Sequence, residues 1–292
     1  MMLKVDNAII LAAGASSRFA PLSYERHKAL IEVKGEVLIE RQIRQLREAG
    51  IKEIYIVTGY KKEQFDYLEE KFCVKLVHNS EYAVRNNHSS IYAVKDVLNN
   101  SYICSADNYF AENPFNDAEE GALYSGIYAD GYTKEWCMET DQDGYITGVK
   151  VGGNDAWYML GHVFWDEAFS TKFIEILEES YSDAEIVDKL WEDIYIEHIE
   201  DFQMKLKKYD SEYIFEFDTL DELREFDKSY VEDTRSIILK GIAEKLDVKE
   251  SELKSFQAVK TVDNRATGFK FACKEVMYSY DYTITRLEKV SD

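Results

Sequence analysis

Proline is nearly absent: the chain has two, Pro21 and Pro114, so no proline-rich linker or recognition tract divides it. Cysteine is scarce as well. Cys73, Cys104, Cys137 and Cys273 are scattered, and no C-x-x-C pair occurs, which excludes the usual zinc spacings. The four read as reduced core thiols of a cytoplasmic protein. Positive charge is in deficit, with 35 Lys and Arg against 56 Asp and Glu, a formal net charge of −21. That balance excludes a general nucleic-acid binder and a binder of anionic membranes, both of which need basic faces. It does not exclude a nucleotide ligand, because the local field at a site outweighs the sum. No apolar run approaches the ~18 residues of a membrane span, and the first one is too short for a signal peptide. Internal repeats and low-complexity tracts are missing too.

What remains is an ordinary globular composition, 46% hydrophobic over 292 residues, with 21 tyrosines. The length suits one large domain plus an appendage. Strand-like Ala8–Leu11, helix-like Glu36–Ala49, strand-like Glu53–Thr58, a helix over Lys61–Glu70 and a strand over Cys73–Val77 follow in order. A polar loop, Asn79–Asn87, leads to a helix through Ile91, Val94 and Leu98, and then to a strand over Ser101–Ser105. This alternation predicts an α/β fold, a Rossmann-like, mixed and mostly parallel sheet with helices on both faces. Ligands of such sheets sit outside the carboxyl ends of the strands. Further strands are expected over Ala122–Ala129, Trp136–Thr140, Tyr145–Val151 and Ala156–Trp165, with Asp143-Gly144 as a hairpin turn. Helices are expected over Asp166–Glu179 and Glu185–His198, then short strands over Lys205–Lys208 and Tyr213–Glu216. Thr219 and Glu222 have capping-box spacing at the start of a helix that runs to Phe226. Past Lys228 the character changes to an amphipathic helix, Val231–Leu246, and a small strand meander over Leu253–Val262, Gly268–Cys273 and Glu275–Thr285. The expected division is therefore residues 1–228 and a small α+β C-terminal appendage, 229–292.

The most informative stretch is Ala8–Leu30. A buried strand stops at Ala12-Ala13-Gly14-Ala15-Ser16-Ser17, and two cations follow, Arg18 and Lys28. Small residues let backbone amides approach a polyphosphate, and Gly14 can adopt positive φ without a Cβ clash. Fixed cations neutralise charge that shifts during phosphoryl chemistry. The stretch resembles the sugar-nucleotide-type nucleotidyltransferase signature, L-A-A-G-x-G-x-R followed by P-K-x-L. Ser16 stands where the second Gly is usual and His27 where Pro is usual; losing the proline is expected to loosen the loop before Lys28. The resemblance assigns Leu11, Ala12, Ala13, Gly14, Ala15 and Ser16 to nucleotide binding, and Arg18 and Lys28 to the triphosphate. Asp107, just past a buried strand, reads as a turn cap or as a metal carboxylate. Asp218, before Thr219, reads equally as a helix N-cap or as a second metal carboxylate. The family places carboxylates in both contexts, which favours Mg²⁺ at Asp107 and Asp218.

A narrower resemblance is carried by Gly59-Tyr60-x-x-Glu63-Gln64-Phe65, the Asn86-Asn87 pair with Ser90, Ala106-Asp107-Asn108-Tyr109, Glu135-Trp136, Phe164-Trp165-Asp166 and Val187-Asp188-x-x-Trp191. Over about residues 7–228 the chain is similar to the bacterial CTP:phosphocholine cytidylyltransferases and the related 2-aminoethylphosphonate cytidylyltransferases. This implies a Mg²⁺-dependent, cytoplasmic enzyme that joins CMP from CTP to a small amine-bearing phosphate or phosphonate. Phosphocholine is the first acceptor and 2-aminoethylphosphonate the second. Tyr82, Asn87, Ser89, Ser90 and Ala106 would address the nucleotide, although Asn87 and Ser89 read equally as helix caps. Trp136, Trp191 and Asp188, with Glu135, Tyr158 and Tyr195, would hold the acceptor's ammonium by cation–π and Coulomb attraction. Leu190 replaces an aromatic usual before the second tryptophan, which leaves room for a primary amine such as aminoethylphosphonate or phosphoethanolamine. Two rivals stay open, a sugar 1-phosphate nucleotidyltransferase and a non-catalytic nucleotide-binding regulatory subunit. Residues 264–271, Asn264 to Phe271, weakly resemble the opening hairpin of a choline-kinase-like lobe. The tail is thus a remnant lobe, an interface for a homodimer or other partner, or the join to a fused second domain.

Overall fold

The computed structural model describes residues 1–261 and 266–290. The chain packs as two compact units. The larger combines Met1–Gly14 with Leu38–Glu216, and the smaller combines Ala15–Val37 with the chain from Phe217 onward. Packing thus joins the segment carrying Arg18 and Lys28 to the C-terminal region, whereas sequence character suggested a division after Lys228.

The larger unit is built on a seven-stranded sheet. Its strands are β1 (Asn7–Ala12), β2 (Glu53–Thr58), β3 (Lys75–His78), β4 (Ser101–Ser105), β6 (Leu123–Thr140), β7 (Ile146–Trp165) and β8 (Lys205–Tyr209), in the order β8-β6-β7-β4-β1-β2-β3. Strands β1, β2, β3 and β4 run parallel, β7 is antiparallel to β4 and β6, and β8 is parallel to β6. The expected mixed, mostly parallel sheet is present, and β1 is central because Ala8, Ile9 and Ile10 have no exposed surface. Helices α1 (Leu38–Glu48), α2 (Tyr67–Phe72), α3 (His88–Ala93), α4 (Glu167–Ser180) and α5 (Trp191–Glu197) connect the strands. One continuous core joins Ile9, Val57, Ile103, Trp165, Phe169, Phe173, Trp191, Tyr195 and Phe202.

Two short strands add a pair to this unit, as Leu3–Lys4 and Ala118–Glu119 do elsewhere in it. β5 (Asn108–Phe110) pairs antiparallel with β9 (Ile214–Glu216), matching Asn108 to Glu216. Several expectations change here. The strands foreseen over Ala122–Ala129 and Trp136–Thr140 are one 18-residue strand, β6, and those over Tyr145–Val151 and Ala156–Trp165 are the 20-residue β7. The helix foreseen over Glu185–His198 is a single 3-10 turn, Ala184–Ile186, and then α5. That foreseen over Lys61–Glu70 is a 3-10 turn, Lys62–Phe65, followed by α2.

The smaller unit holds α6 (Leu220–Phe226), α7 (Ile237–Leu246) and an antiparallel sheet of β10 (Leu253–Lys260), β11 (Ala266–Cys273), β12 (Val276–Asp281) and β13 (Arg286–Lys289) in sequential order. Phe256, Phe269, Phe271 and Tyr280 make its aromatic core. α7 starts at Ile237, six residues later than expected, because Ser236 caps it and the Glu25 carboxylate accepts from the Ile237 and Ile238 amides. The buried Arg224 guanidinium donates to the carbonyls of Tyr230, Glu250 and Leu253, joining α6 to β10. The last expected strand, Glu275–Thr285, is β12 and ends at Asp281, and β13 lies beyond the expected range, while Val262 and the Asn264-Arg265 start of the kinase-like hairpin lie outside the described residues.

Candidate active site

The strand register brings two motifs of the larger unit to one edge. Leu11 pairs with Ser105, and the Ala106 amide donates to the Leu11 carbonyl at 3.1 Å. The glycine turn and Asp107 therefore leave adjacent strands at their carboxyl ends. Exposure begins at Gly14, after the buried Ala12 and Ala13. A Cβ placed on Gly14 would meet nothing within 4 Å, and Gly14 is not in the left-handed region. The positive φ open to Gly14 is therefore not used, and a side chain there would enter open space. Gly59 is sterically demanded, since a Cβ would lie 2.7 Å from the Ala13 carbonyl oxygen and 2.6 Å from the Tyr82 ring. The residue with positive φ in the turn is Ser16, at 45°.

Asp107 sits in the turn between β4 and β5. Gln42, buried on α1, donates from Nε2 to the carbonyls of Ser105 and Asn108, each at 2.8 Å. One amide thus clamps both flanks of the Asp107 turn, a contact that the sequence reading missed.

In the smaller unit, Asp218 receives Arg18 Nη1 on Oδ2 at 2.6 Å and faces Lys28 Nζ at 3.7 Å. Arg18 is 74% exposed, whereas Lys28 is only 3% exposed and lies over the Phe19 ring. Thr219, not Asp218, caps α6: its hydroxyl accepts from the Glu222 amide, and Glu222 in turn accepts from the Asp218 and Thr219 amides. The capping alternative for the Asp218 side chain is removed. His27 has φ −58°, close to the value proline would impose, and its Nδ1 accepts from the Ala29 amide at 3.1 Å. The turn into Lys28 is therefore held despite the missing proline, against the expected loosening.

The polar loop foreseen as a base reader is turned elsewhere. The Ser89 and Ser90 hydroxyls are buried and accept from the Asn79 side-chain amide. Asn87 reaches across 104 residues, its Oδ1 accepting from the Trp191 amide at 2.7 Å and its Nδ2 donating to Glu192 at 3.1 Å. Asn86 and His88 add bonds to the carbonyls of Asp188 and Lys189. Residues 86–88 are thus sewn to residues 187–192. Tyr82 is half-buried beside Gly59, and the Ala106 amide is committed to the sheet.

The foreseen acceptor residues separate by burial. Glu135 and Asp188 are exposed, and Trp136 and Tyr158 are partly buried on the β6–β7 pair, where Cys137 pairs with Tyr158. Trp191 is 3% exposed, stacked on Tyr124 and edge-on to Trp165. Tyr195 has no exposed surface and packs on Phe169 and Phe202. It is a core residue, and its expected place in the acceptor set is withdrawn. Burial raises the Tyr158 hydroxyl above its ordinary value, with Glu135 and Glu216 adding to the shift. Burial also pushes the Glu192 carboxyl up to about 7, against the hydrogen bond from Asn87.

Residues 8–112 match the model of the MobA-like NTP transferase domain. The chain is 36% identical over 221 residues to the choline-phosphate cytidylyltransferase of Streptococcus pneumoniae, covering 76% of this chain and 96% of that one. It is 36% identical over 229 residues to the 2-aminoethylphosphonate cytidylyltransferase of Lancefieldella rimae, covering 77% and 93%. The chain belongs to the choline-phosphate cytidylyltransferase family. The solved structure of the S. pneumoniae CTP:phosphocholine cytidylyltransferase, LicC, superposes with a TM-score of 0.74, covering 78% of this chain and 99% of that one at 36% identity. This cytidylyltransferase is thus a nucleotidyltransferase by family and by fold. Among the described residues no helix is long and apolar enough to cross a membrane.

Among the described residues no three His, Cys, Asp or Glu side chains form a metal-holding group. The chemistry of the aspartates nevertheless fits Mg²⁺, which favours hard oxygen ligands and is commonly held by one or two carboxylates with phosphate and water completing the shell.

Proposed function

We propose that this cytidylyltransferase transfers CMP from CTP to a small zwitterionic phosphate or phosphonate, with phosphocholine as the first acceptor. The observation that carries most weight is Asp218, its side chain released from helix capping and set against Arg18 and Lys28. Asp107, in the turn after β4, and Asp218, before α6, stand in the two contexts in which the family resemblance puts its metal carboxylates. These are the two carboxylates we assign to Mg²⁺. When bound, the ion would neutralise charge on the α-phosphate and the incoming phosphate.

An ionised oxygen of the acceptor attacks the α-phosphorus of CTP in line. A new P–O bond forms, the bond to the β-phosphate oxygen breaks, and pyrophosphate leaves with its electron pair. The nucleophile is already anionic, so no general base is required. Leu11 to Ser16 provide the small-residue floor for the nucleotide, and Arg18 and Lys28 neutralise the triphosphate. Trp136, Tyr158, Glu135 and Asp188 are assigned to the acceptor, and Asn87 supports that side through Trp191 and Glu192. Residues 1–228 are assigned to the transferase and 229–292 to an appendage.

Leu190 favours a second reading, 2-aminoethylphosphonate. It supplies no ring face, and its amide is tied to Asp193 at the start of α5. A primary ammonium needs hydrogen-bond acceptors more than a complete aromatic cage. Pyrophosphate release measured with CTP, UTP, dTTP and ATP against phosphocholine, 2-aminoethylphosphonate, phosphoethanolamine and glucose 1-phosphate tests both. CTP with an amine-bearing acceptor is the expected pair; turnover confined to glucose 1-phosphate, or to none, refutes the proposal.

A further inference from the structure

Helix α1 buries two glutamines beside its apolar stripe. Leu38, Ile39, Ile43 and Leu46 form the stripe, and Gln42 and Gln45 are enclosed with them. A leucine at either place would be buried without a polar cost. Both amides are instead spent on the chain that leaves β4. Gln42 Nε2 donates to the Ser105 and Asn108 carbonyls, and Gln45 Nε2 donates to the Phe110 carbonyl at 3.1 Å. Arg41 adds its Nε to the Phe110 carbonyl at 2.9 Å and its Nη2 to the Ala111 carbonyl at 2.7 Å, with the guanidinium over the Tyr109 ring. The arrangement carries a penalty. Gln42 Oε1, Gln45 Oε1 and Asn108 Oδ1 are buried with no hydrogen-bond partner among the described residues. Orphaned acceptors of this kind lower stability, so stability alone does not account for the two glutamines.

The two glutamines are not equivalent. Phe110 keeps the Arg41 donor when Gln45 is lost, and both of those contacts lie beyond Asp107. Gln42 bridges it: one nitrogen holds the carbonyl two residues before Asp107 and the carbonyl one residue after, each at 2.8 Å. The turn cannot widen or rotate without giving up one of these bonds. Mg²⁺ tolerates little departure from octahedral geometry, and its ligands must be held to within about 0.5 Å. We propose that Gln42 is a positioning residue for CMP transfer, fixing the backbone that carries Asp107 while itself touching neither metal nor substrate. The proposal rests on the assignment of Asp107 to Mg²⁺.

The test uses the full chain, Gln42→Leu, Gln45→Leu, Asp107→Ala and the Gln42→Leu/Asp107→Ala double variant. Gln42→Met, which keeps the side chain's length and lacks the donor, serves as a second removal of the amide. Amide exchange of the 105–110 segment is followed by mass spectrometry in metal-free buffer. CTP affinity is measured by calorimetry with Mg²⁺ and with EDTA. Gln42→Leu should speed exchange of that segment about tenfold or more, with the rest of the sheet unchanged. It should also shrink the gain in CTP affinity that Mg²⁺ gives by about threefold or more, and take nothing further away in the Asp107→Ala background. Gln45→Leu, matched in burial and volume, should resemble wild type in both measurements. Unchanged exchange in both Gln42 variants, equal behaviour of Gln42→Leu and Gln45→Leu, or independent losses from Gln42→Leu and Asp107→Ala overturns the proposal. A turn loosened by Gln42→Leu, with a Mg²⁺ gain that survives Asp107→Ala, would instead overturn the metal assignment and leave Gln42 as the residue that sets the turn.

Discussion

Replacing Glu192 with Gln should make the protein more stable, and only above mildly acidic pH. The side chain keeps its shape, Oε1 can still accept from Asn87, and the new amide can donate to the Tyr124 oxygen. What disappears is the charge. Burial raises the Glu192 carboxyl from 4.5 to about 7. A folded-state value above the unfolded one means that the native state binds more protons between those pH values, so stability falls as pH rises across the window. Below pH 4.5 the group is neutral in both states and contributes nothing. Above pH 7 the full cost of ionising it in place is present, about 2.5 units at 1.36 kcal/mol each, or roughly 3 kcal/mol. The group is partly exposed, so solvent screening makes this an upper bound. The groups facing it are Asp193 on its own helix, whose like charge adds to the cost, and Tyr124 on β6 and Asn87, whose hydrogen bonds reduce it.

The assay is urea unfolding of wild type and Glu192→Gln at half-unit steps from pH 5 to 8.5, followed by tryptophan fluorescence, since Trp191 and Trp165 adjoin the site. The variant's advantage should be small at pH 5, grow steadily, and level off near pH 8 at about 1–3 kcal/mol. A difference that stays flat within about 0.5 kcal/mol across the range would show that Glu192 is not held above its ordinary value, and the argument from a sheltered charge would fail.

The other expectations concern the nucleotide and acceptor sides. Gly14→Ala should leave stability within about 0.5 kcal/mol, because its Cβ enters open space, yet raise KM for CTP several-fold; a normal KM would remove the close approach of a phosphate at this turn. Asp107→Ala should abolish pyrophosphate release while circular dichroism stays native, and retained turnover would remove its metal role. Gln42→Leu leaves the buried Asn108 carbonyl and the more exposed Ser105 carbonyl without this donor and should cost about 1–3 kcal/mol, with kcat falling far more than either KM; an unchanged kcat would separate Gln42 from the Asp107 turn. Trp136→Ala should raise KM for the acceptor more than KM for CTP, and equal changes would remove Trp136 from the acceptor side.

Legibility followed the range over which each signal acts. The strand-to-turn signature, the α/β alternation and the Thr219–Glu222 box are local patterns, and each is found where the spacing put it. The ribbon of β6 and β7 misled for a local reason too. Gly131, Gly152, Asp130, Asn154 and Asp155 look like turn residues, and Asp155 and both glycines do have positive φ. Yet among the described residues, beyond the register with β4 and β8, the two strands pair only with each other, so neither face must be apolar and the turn-like residues are absorbed as irregularities.

The site was less legible because its residue types are ambiguous until their partners are known. Asp218 and Thr219 are both good N-caps on paper; the geometry gives the cap to Thr219, and that assignment is what leaves Asp218 to the cations. Asn87 was a plausible base reader or cap, but its partners lie 104 and 105 residues downstream, a distance that no local pattern reports. Trp136 and Tyr195 belong to the same chemical class, and only burial separates a ring available to a ligand from one enclosed by Phe169 and Phe202. Glu192 shows the converse. Nothing in the sequence singled it out beside Trp191, and what marks it is the lack of an ion-pair partner among the described residues. In a chain with 21 more acids than bases, an acid without a base is ordinary at the surface and informative where water is partly excluded.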